Sequence, residues 1–182
     1  MWKFGYRKEY FFATGTSMIR PASEHDAAAI CAIYNHFVRT TTISFEEQDV
    51  TGAEMAKRIR EYSAVLPWLV FEQDGAVAGY AYATLWRVRA AYRFSVESSV
   101  YVSLDAPGRG IGSALYRALI GELRQRGVHA VIGGIAQPNP ASVALHEKLG
   151  FEKVAHFKQV GRKFDRWVDV GYWELLLDAP AA

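Results

Sequence analysis

The chain has 182 residues, of which 51% are hydrophobic and 22% charged, values that suit one globular domain and exclude a disordered or fibrous protein. Its 21 lysines and arginines exceed its 19 acidic residues by only two, which argues against bulk nucleic-acid binding. No apolar run reaches the roughly 20 residues that span a membrane, and the single cysteine, Cys31, cannot form an intrachain disulfide, so we expect a cytoplasmic protein.

Residues 1–17 differ in composition from the rest of the chain, because they mix aromatic and charged residues without a regular period. A signal peptide needs an apolar core of about 7–15 residues, and charges interrupt every candidate core here. We interpret the segment as a leader or extension outside the fold. An arm that packs on a partner subunit is the alternative. Residues 18–182 are then a single domain.

The first part of this domain is predicted to contain a strand, two helices and a hairpin. Their ranges are 18–22 for the strand, 24–38 and 51–65 for the helices, and 68–71 and 76–85 for the hairpin strands. Ser23 and Thr51 each precede an acidic residue by three positions, as in a capping box. Asp74-Gly75 is a strong hairpin-turn signal.

The second part alternates strands and helices. The patterns predict a strand over 94–103, a helix over 111–126, a strand over 130–136, a helix from Asn139-Pro140 to Leu149, and a closing antiparallel pair over 151–160 and 167–177. Gly127 suits the position after a helix end, and Pro140 suits a first turn. The whole pattern indicates one mixed α/β domain.

The most informative local feature is a glycine-rich turn between a strand and a helix, Pro107-Gly108-Arg109-Gly110-Ile111-Gly112-Ser113. Glycines allow a ligand to approach the backbone, and free N–H groups at a helix N-terminus attract phosphate. The turn lacks the Gly-Lys-Ser/Thr of a P-loop, and it lies too far along the chain for a dinucleotide fingerprint. By itself it indicates either a phosphate site or a tight turn with a helix cap.

Together with Val100-Tyr101-Val102 before it and Asn139 after it, this turn resembles the GNAT acetyltransferase superfamily, over residues 18 to about 177. The resemblance implies an α/β (α+β) fold, in which helices flank a central mixed, mostly antiparallel sheet, and it implies acetyl-CoA as co-substrate. The implied cofactor contacts are the pyrophosphate cradle of Gly108, Arg109, Gly110, Ile111, Gly112 and Ser113, the strand backbone at Val100, Tyr101 and Val102, and Asn139. Pro107 stands where the superfamily usually has Arg or Gln, so we expect weaker cofactor binding, partly offset by Arg109.

Several separated blocks narrow the resemblance to the phosphinothricin and methionine sulfoximine N-acetyltransferases. The blocks are TISFEE (42–47), YR (92–93), VESSVYV (96–102), NPASVALHE (139–147) and VGRKFDRWVDV (160–170). They imply acetyl transfer to the α-amino group of a small amino acid or analogue, by direct attack in a ternary complex. They also imply a homodimer.

Two residues are the candidates for proton transfer. An α-ammonium group must lose a proton before its nitrogen can attack a thioester, and Glu97 is the candidate base, with a salt bridge to Arg93 as the structural alternative. His146 stands where many superfamily members have a tyrosine that protonates the departing CoA thiolate. A histidine near its ordinary pKa of roughly 6.5 can do this or act as a base through water. A purely structural hydrogen bond is the alternative, and Tyr101 is another candidate acid.

The resemblance also implies an amino-acid pocket lined by Arg87, Val88, Arg89, Glu97, Ser98 and Ser99. Guanidinium groups pair well with carboxylates and phosphinates, although each arginine alone is also compatible with a solvated surface charge. Tyr34, Phe45 and Glu46 are expected to complete the pocket. The five histidines are too scattered in sequence to predict a metal site.

Two rival functions remain open at this stage. The acceptor can be another amine, such as a polyamine, an arylalkylamine or a protein N-terminus. Alternatively, the chain binds acetyl-CoA without turnover, a hypothesis that Pro107 alone suggests. The basic run at 158–166 is expected to be a solvated hairpin or a dimer contact, with no nucleic-acid partner.

Overall fold

The computed structural model describes residues 10–11, 17–106 and 110–177. Within these ranges the chain forms the strands β1 (Tyr10–Phe11), β2 (Ser17–Pro21), β3 (Trp68–Gln73), β4 (Ala76–Leu85), β5 (Ser95–Val102), β6 (Ala130–Ala136), β7 (Glu152–Lys163) and β8 (Arg166–Leu176). The α-helices are α1 (Ala27–Thr40), α2 (Gly52–Ser63), α3 (Ile111–Gln125) and α4 (Pro140–Lys148). Across the described residues, no helix has both the length and the apolar character to cross a lipid bilayer.

The strands form one mixed sheet in the order β1-β2-β3-β4-β5-β6-β8-β7. Within the described sheet, β5 and β6 are parallel and the other neighbouring strands are antiparallel. The expected mixed, mostly antiparallel sheet flanked by helices is therefore confirmed. Tyr10 and Phe11 pair with Ile19 and Met18 of β2, whereas residues 1–9 and 12–16 lie outside the described residues, so the domain boundary stays a prediction.

The closing hairpin has a shorter turn than predicted. The predicted ranges leave a long connection between residues 160 and 167, whereas β7 runs to Lys163 and β8 begins at Arg166. The turn residues Phe164 and Asp165 have φ values of 50° and 56°, a conformation that normally selects Asn or Gly. The register also shifts between Phe157 and Gly161, and such a bulge interrupts the alternation from which a strand is predicted.

The sheet carries a hydrophobic core on each face. On one face α3 packs its apolar stripe, which includes Leu115, Leu119 and Leu123 at the i, i+4 spacing of a helix face, against the strands. On the other face α1 and α2 cover β3 and β4 through residues such as Ile30 and Ile59. Side chains of a strand alternate between faces, so each strand supplies residues to both cores.

The pairing of β5 with β6 ends halfway along the two strands. Their register comprises Ser95↔Ala130, Val96↔Val131 and Glu97↔Ile132, after which β5 continues beside β4 and β6 continues beside β8 to Ala136. The strands therefore diverge in a V-shaped opening whose apex lies at Glu97 and Ile132. This opening is the feature of the fold that positions the functional site.

Candidate active site

The backbone of β5 turns hydrogen-bonding groups into the V-shaped opening. Ser103 N donates to Ala78 O at 2.9 Å and Trp86 N donates to Ser95 O at 3.2 Å, so the odd-numbered residues of β5 bond to β4. Backbone groups alternate sides along a strand, and those of Val100 and Val102 consequently face the opening. A ligand with amide groups can pair there as an added strand does. Of the predicted stretch 100–102, the backbone of Tyr101 faces β4 instead.

The N-terminus of α3 offers free N–H groups beyond the end of β5. Gly110 is the N-cap, with a φ of 74°, and the first backbone bond of the helix runs from Ala114 N to Gly110 O. The N–H groups of Ile111, Gly112 and Ser113 have no partner within the helix, which makes this end suitable for an anion. The predicted contacts at Gly108 and Arg109, and the departure at Pro107, lie outside the described residues.

Asn139 has a structural role in this arrangement. Its side-chain oxygen accepts a hydrogen bond from Ser142 N at 3.1 Å and so caps the N-terminus of α4. The predicted contact of Asn139 with a cofactor therefore depends on the rest of the carboxamide group.

A cavity of about 590 Å³ lies at the apex of the opening, on the face of the sheet covered by α1 and α2. Tyr34, Phe45 and Glu46 line it, together with Glu97 and Tyr101 of β5. The closing strands and β6 contribute residues that sequence reasoning missed, namely Gly134, Ala136, Val160, Val170 and Tyr172. Val160 and Val170 end the block 160–170 that carries the family resemblance, but no local pattern assigns any of these residues to a cavity, because they reach it only through the pairing of β6, β8 and β7.

Glu97 is a partly buried carboxylate in this cavity. Burial raises its pKa, and the nearby Arg87 guanidinium opposes that rise, so the group is more basic than an exposed glutamate but close to a cation. A Cβ atom on Gly134 would lie 3.0 Å from Glu97 Oε1 and 3.3 Å from Tyr172 Cε1. The glycine thus leaves the space that the carboxylate and the tyrosine share.

The two arginines Arg87 and Arg93, in the loop between β4 and β5, have different surroundings. Arg87 lies over the Trp86 ring at 4.6 Å. Burial raises the pKa of both Glu97 and Tyr172, and the charge of Arg87 partly opposes that rise. Arg93 donates to Ala90 O at 3.1 Å and lies over the Phe94 ring, and it forms these contacts rather than the salt bridge that was the structural alternative for Glu97.

The other predicted acceptor residues are distributed over the loop and both faces of β5. Val88 is 99% exposed and Arg89 is exposed, both outside the lining of the cavity. Ser99 shares the face of Glu97 and lies opposite Tyr82 of β4 in the strand register. Ser98 points to the opposite face of the sheet.

His146 lies on that opposite face, in a buried polar network. The residue is 3% exposed. Its Nδ1 lies 2.7 Å from Ser142 O, and its Nε2 lies 3.1 Å from Tyr116 Oη. A carbonyl oxygen only accepts, so Nδ1 carries the proton and Nε2 accepts from Tyr116. Burial lowers the pKa of His146, against an opposing hydrogen bond to Ser142, and the ring is neutral.

The network reaches the apex of the opening through Ser98. Its Oγ lies 3.3 Å from Tyr116 Oη and 3.4 Å from Ile132 O. The structure therefore brings His146 together with Ser98 and with Tyr116, which sequence reasoning missed because Tyr116 belongs to the apolar stripe of α3. The structure does not bring His146 together with Glu97, because the sheet separates them.

The remaining reactive groups are structural in character. Cys31 Sγ is buried and lies 3.4 Å from Val50 O, and burial raises the pKa of this thiol. Over the part of the chain that the structure describes, no group of three or more His, Cys, Asp or Glu side chains is arranged to hold a metal ion.

Comparison with known proteins gives consistent results. Residues 19–171 match the family described as an acetyltransferase (GNAT) domain. A phosphinothricin N-acetyltransferase of Streptomyces viridochromogenes is 40% identical over 163 residues, which cover 90% of this chain and 89% of that protein. An L-methionine sulfoximine/L-methionine sulfone acetyltransferase of Salmonella typhimurium is 41% identical over 168 residues, 90% of this chain and 96% of that protein.

Solved structures show the same similarity. A GNAT superfamily phosphinothricin acetyltransferase from Sinorhizobium meliloti, in complex with acetyl-CoA, superposes with a TM-score of 0.86. It is 38% identical, and the match covers 92% of each chain.

Proposed function

The chain belongs to the GNAT acetyltransferase family and is an acetyl-CoA-dependent N-acetyltransferase, and we propose that its acceptor is the α-amino group of a small amino acid of the phosphinothricin or methionine sulfoximine and sulfone type. The family and co-substrate expected from the sequence motifs are confirmed. The observation that carries the acceptor proposal is the Glu97 carboxylate in a cavity of about 590 Å³ at the apex of the opening. Relatives about 40% identical that carry these names support it.

The residues around the opening suit acetyl-CoA. The free backbone groups of Val100 and Val102 match the amides of a pantetheine arm, and the N–H groups of Ile111 to Ser113 match a pyrophosphate. We assign the same contact to the loop residues Gly108 and Arg109. The co-substrate supplies an acetyl thioester, whose carbonyl carbon is the electrophile.

Glu97 acts as the general base in this proposal. It takes a proton from the acceptor's ammonium group, so that the nitrogen lone pair can attack the thioester carbonyl carbon. The backbone N–H of Val100 donates to the thioester oxygen and stabilises the negative charge that develops there. The new N–C bond forms, the C–S bond breaks, and the amide product and the CoA thiol leave.

The departing thiolate requires one proton. Tyr116 occupies Nε2 of His146, and Ser142 holds Nδ1. Neutral His146 carries its single proton on Nδ1, facing Ser142 O, and its Nε2 is an acceptor, so it has no proton to give the thiolate. We propose instead that the thiolate takes the second proton, which the acceptor nitrogen loses when the tetrahedral adduct becomes the amide, and that His146 positions the Tyr116 hydroxyl.

The test is CoA release from acetyl-CoA with phosphinothricin, methionine sulfoximine, methionine sulfone, unmodified amino acids, polyamines and a peptide with a free N-terminus. We expect turnover with the sulfur and phosphinate analogues, and Glu97→Gln should lower kcat by about 10²–10⁴-fold while acetyl-CoA binding persists. Glu152→Gln, an exposed change on β7, is the control.

Two results would contradict the proposal. Turnover confined to polyamines or peptides would move the acceptor to another amine class. Acetyl-CoA binding without turnover on any amine would favour a binding module.

The assembly is also part of the proposal. The outer strands β7 and β8 expose large apolar side chains, including Val154 at 56% and Trp167 at 60%, and a second copy of the chain would cover them. We propose a cytoplasmic homodimer, in which residues 18–182 form the catalytic domain and no nucleic acid binds. Light scattering should give twice the 20.4 kDa chain mass, and Val154→Glu should shift it toward the monomer.

A further inference from the structure

We infer that Lys163 is a positioning residue, which ties the loop between α1 and α2 to the end of β7 and thereby sets the acceptor selectivity of the pocket. The inference rests on the proposed function, because it assigns the pocket around Glu97 to the amino-acid acceptor. We name residues 41–46 the acceptor loop.

Lys163 is a buried lysine whose ammonium group bonds to backbone oxygens. The residue is 3% exposed, and Nζ donates to Val38 O and to Ser44 O, each at 2.7 Å. Lysine is almost never fully buried unless its charge is paired. Burial lowers its pKa, and the nearby carboxylates of Glu47 and Glu46 oppose that shift without cancelling it.

The two acceptors belong to separate parts of the chain. Val38 lies in the last turn of α1, where carbonyl groups have no intrahelical partner and the helix dipole favours a cation. Ser44 lies in the acceptor loop. One cation on β7 therefore holds the end of α1 and the acceptor loop together, across more than a hundred residues of sequence.

A second contact joins β7 to the acceptor loop two residues earlier. The Phe45 ring packs so closely on Gly161 that a Cβ atom there would overlap Phe45 Cε2 and Cζ. Gly161 and Lys163 lie on the same face of β7, because side-chain directions repeat every two residues. The end of β7 therefore contacts the acceptor loop at two adjacent residues, Ser44 and Phe45.

These contacts act across the pocket. Ser44, Phe45 and Glu46 of the acceptor loop form one wall, and Val160 of β7 contributes to the other. Lys163 itself is not among the described lining residues, so it acts on an acceptor only through the loop.

Other hydrogen bonds hold the acceptor loop to the helices rather than to β7. Tyr34 Oη and Ser44 Oγ are 2.8 Å apart, and Arg58 donates to Glu46 at 2.9 Å. Lys163 takes no part in these bonds, so we expect its replacement to change the spacing between the two walls rather than the contacts of the acceptor loop with the helices.

Lys163→Met keeps the length of the side chain but removes its charge and its N–H donors. We expect the KM for methionine sulfone to rise by about tenfold, because a loosened wall no longer orients the acceptor. The ratio of the kcat/KM values for methionine sulfone and phosphinothricin should move toward one. The KM for acetyl-CoA should stay within about twofold of the wild-type value. Lys158→Met, an exposed change on the same strand, is the matched control, and Lys163→Arg should restore much of the selectivity.

Hydrogen exchange supplies a readout that does not need an acceptor. In Lys163→Met the amides of residues 43–46 should exchange faster, while those of α4 stay unchanged. Unchanged exchange in the acceptor loop would overturn the inference. An equal rise in the KM for methionine sulfone and in the KM for acetyl-CoA would also overturn it. If Lys163→Met does not fold, Lys163→Gln carries the same measurements. A wild-type protein without turnover on any amine would instead overturn the proposed function, and the exchange experiment would still decide the role of Lys163.

Discussion

At the scale of single residues, burial shifts the pKa values of the two candidate proton-transfer residues in opposite directions. Burial raises the pKa of Glu97 and lowers that of His146, because a low-dielectric environment disfavours the charged form of either group. The carboxylate becomes a stronger base, and the histidine stays neutral. The same physical effect therefore makes one residue a better proton acceptor and favours the neutral form of the other, whose tautomer is set by the hydrogen bond to Ser142 O.

Arg87 gives a direct test of this electrostatic account. If Glu97 is the base, kcat/KM falls as the pH drops through its pKa, because the protonated carboxyl cannot accept a proton. Arg87 lowers that pKa, so Arg87→Gln should move the acid limb of the pH profile to higher pH. Arg39→Gln, which removes an exposed partner of Asp49, should leave the limb in place. A limb that does not move, or moves to lower pH, would contradict the assignment.

At the scale of elements, the site depends on where the β5–β6 ladder stops. Three paired positions join β5 to β6 at the apex of the opening. Beyond them, the backbone groups of Val100 and Val102 face the opening. The N-termini of α3 and α4 follow directly after β5 and β6 in the chain, and Gly112 of α3 lies close to Leu145 of α4. Two strand ends and two helix starts are thereby gathered on one side of the sheet.

The cap of α4 separates a structural role of Asn139 from a cofactor role. Asn139→Ala removes the hydrogen bond to Ser142 N and should lower the free energy of unfolding by about 1 kcal/mol. Asn139→Ser keeps a capping oxygen but removes the amide nitrogen, so its stability should stay near that of the wild type. A KM for acetyl-CoA that rises in both variants indicates a cofactor contact, and a rise in the alanine variant alone indicates only the cap. Equal stability of all three proteins would contradict the capping role.

At the scale of the whole molecule, the sheet separates two groups of polar side chains that belong to the candidate site. Glu97 and the acceptor cavity lie on the face of α1 and α2, while Ser98, Tyr116 and His146 lie on the face of α3 and α4. The V-shaped opening connects the two faces, because the strands there are not paired.

An ion-pair group fixes α1 to the edge of this sheet. The Asp26 carboxylate accepts from both terminal nitrogens of Arg20 and from Ser23 N, and Arg20 also pairs with Glu72. Burial raises the pKa of Asp26, but these hydrogen bonds outweigh it and the net shift is downward. Stability from a depressed carboxyl pKa is present above the unfolded value and is lost as the pH falls through the folded value.

Asp26→Asn should therefore lower the free energy of unfolding by about 1–3 kcal/mol at pH 7. The difference from wild type should shrink as the pH falls from about 4, the ordinary pKa of the unfolded carboxyl, through the lower pKa of the folded carboxyl. Chemical denaturation of both proteins at pH 7 and at a pH below about 4 measures this difference in the free energy of unfolding. Asp49→Asn, at an exposed ion pair, should change stability by at most about 1 kcal/mol, and an equal loss in both variants would contradict the argument.

The sequence by itself determined the local structure. The β6 strand over 130–136 and the helix start at Ile111 agree with prediction, because apolar periodicity, caps and glycines act over a few residues. The motifs also sufficed for the family and for the choice of Glu97 as a candidate base.

Only the tertiary structure decided which side chains meet. Tyr172 and Val160 line the cavity around Glu97. Tyr116 contacts His146, and Lys163 contacts the acceptor loop, in each case across a long stretch of chain. Strand order and the bulge in β7 set these contacts, and neither leaves a periodic signal in sequence. The physical reason is that residues far apart in the chain are brought together by packing, whereas sequence patterns report the environment of each segment alone.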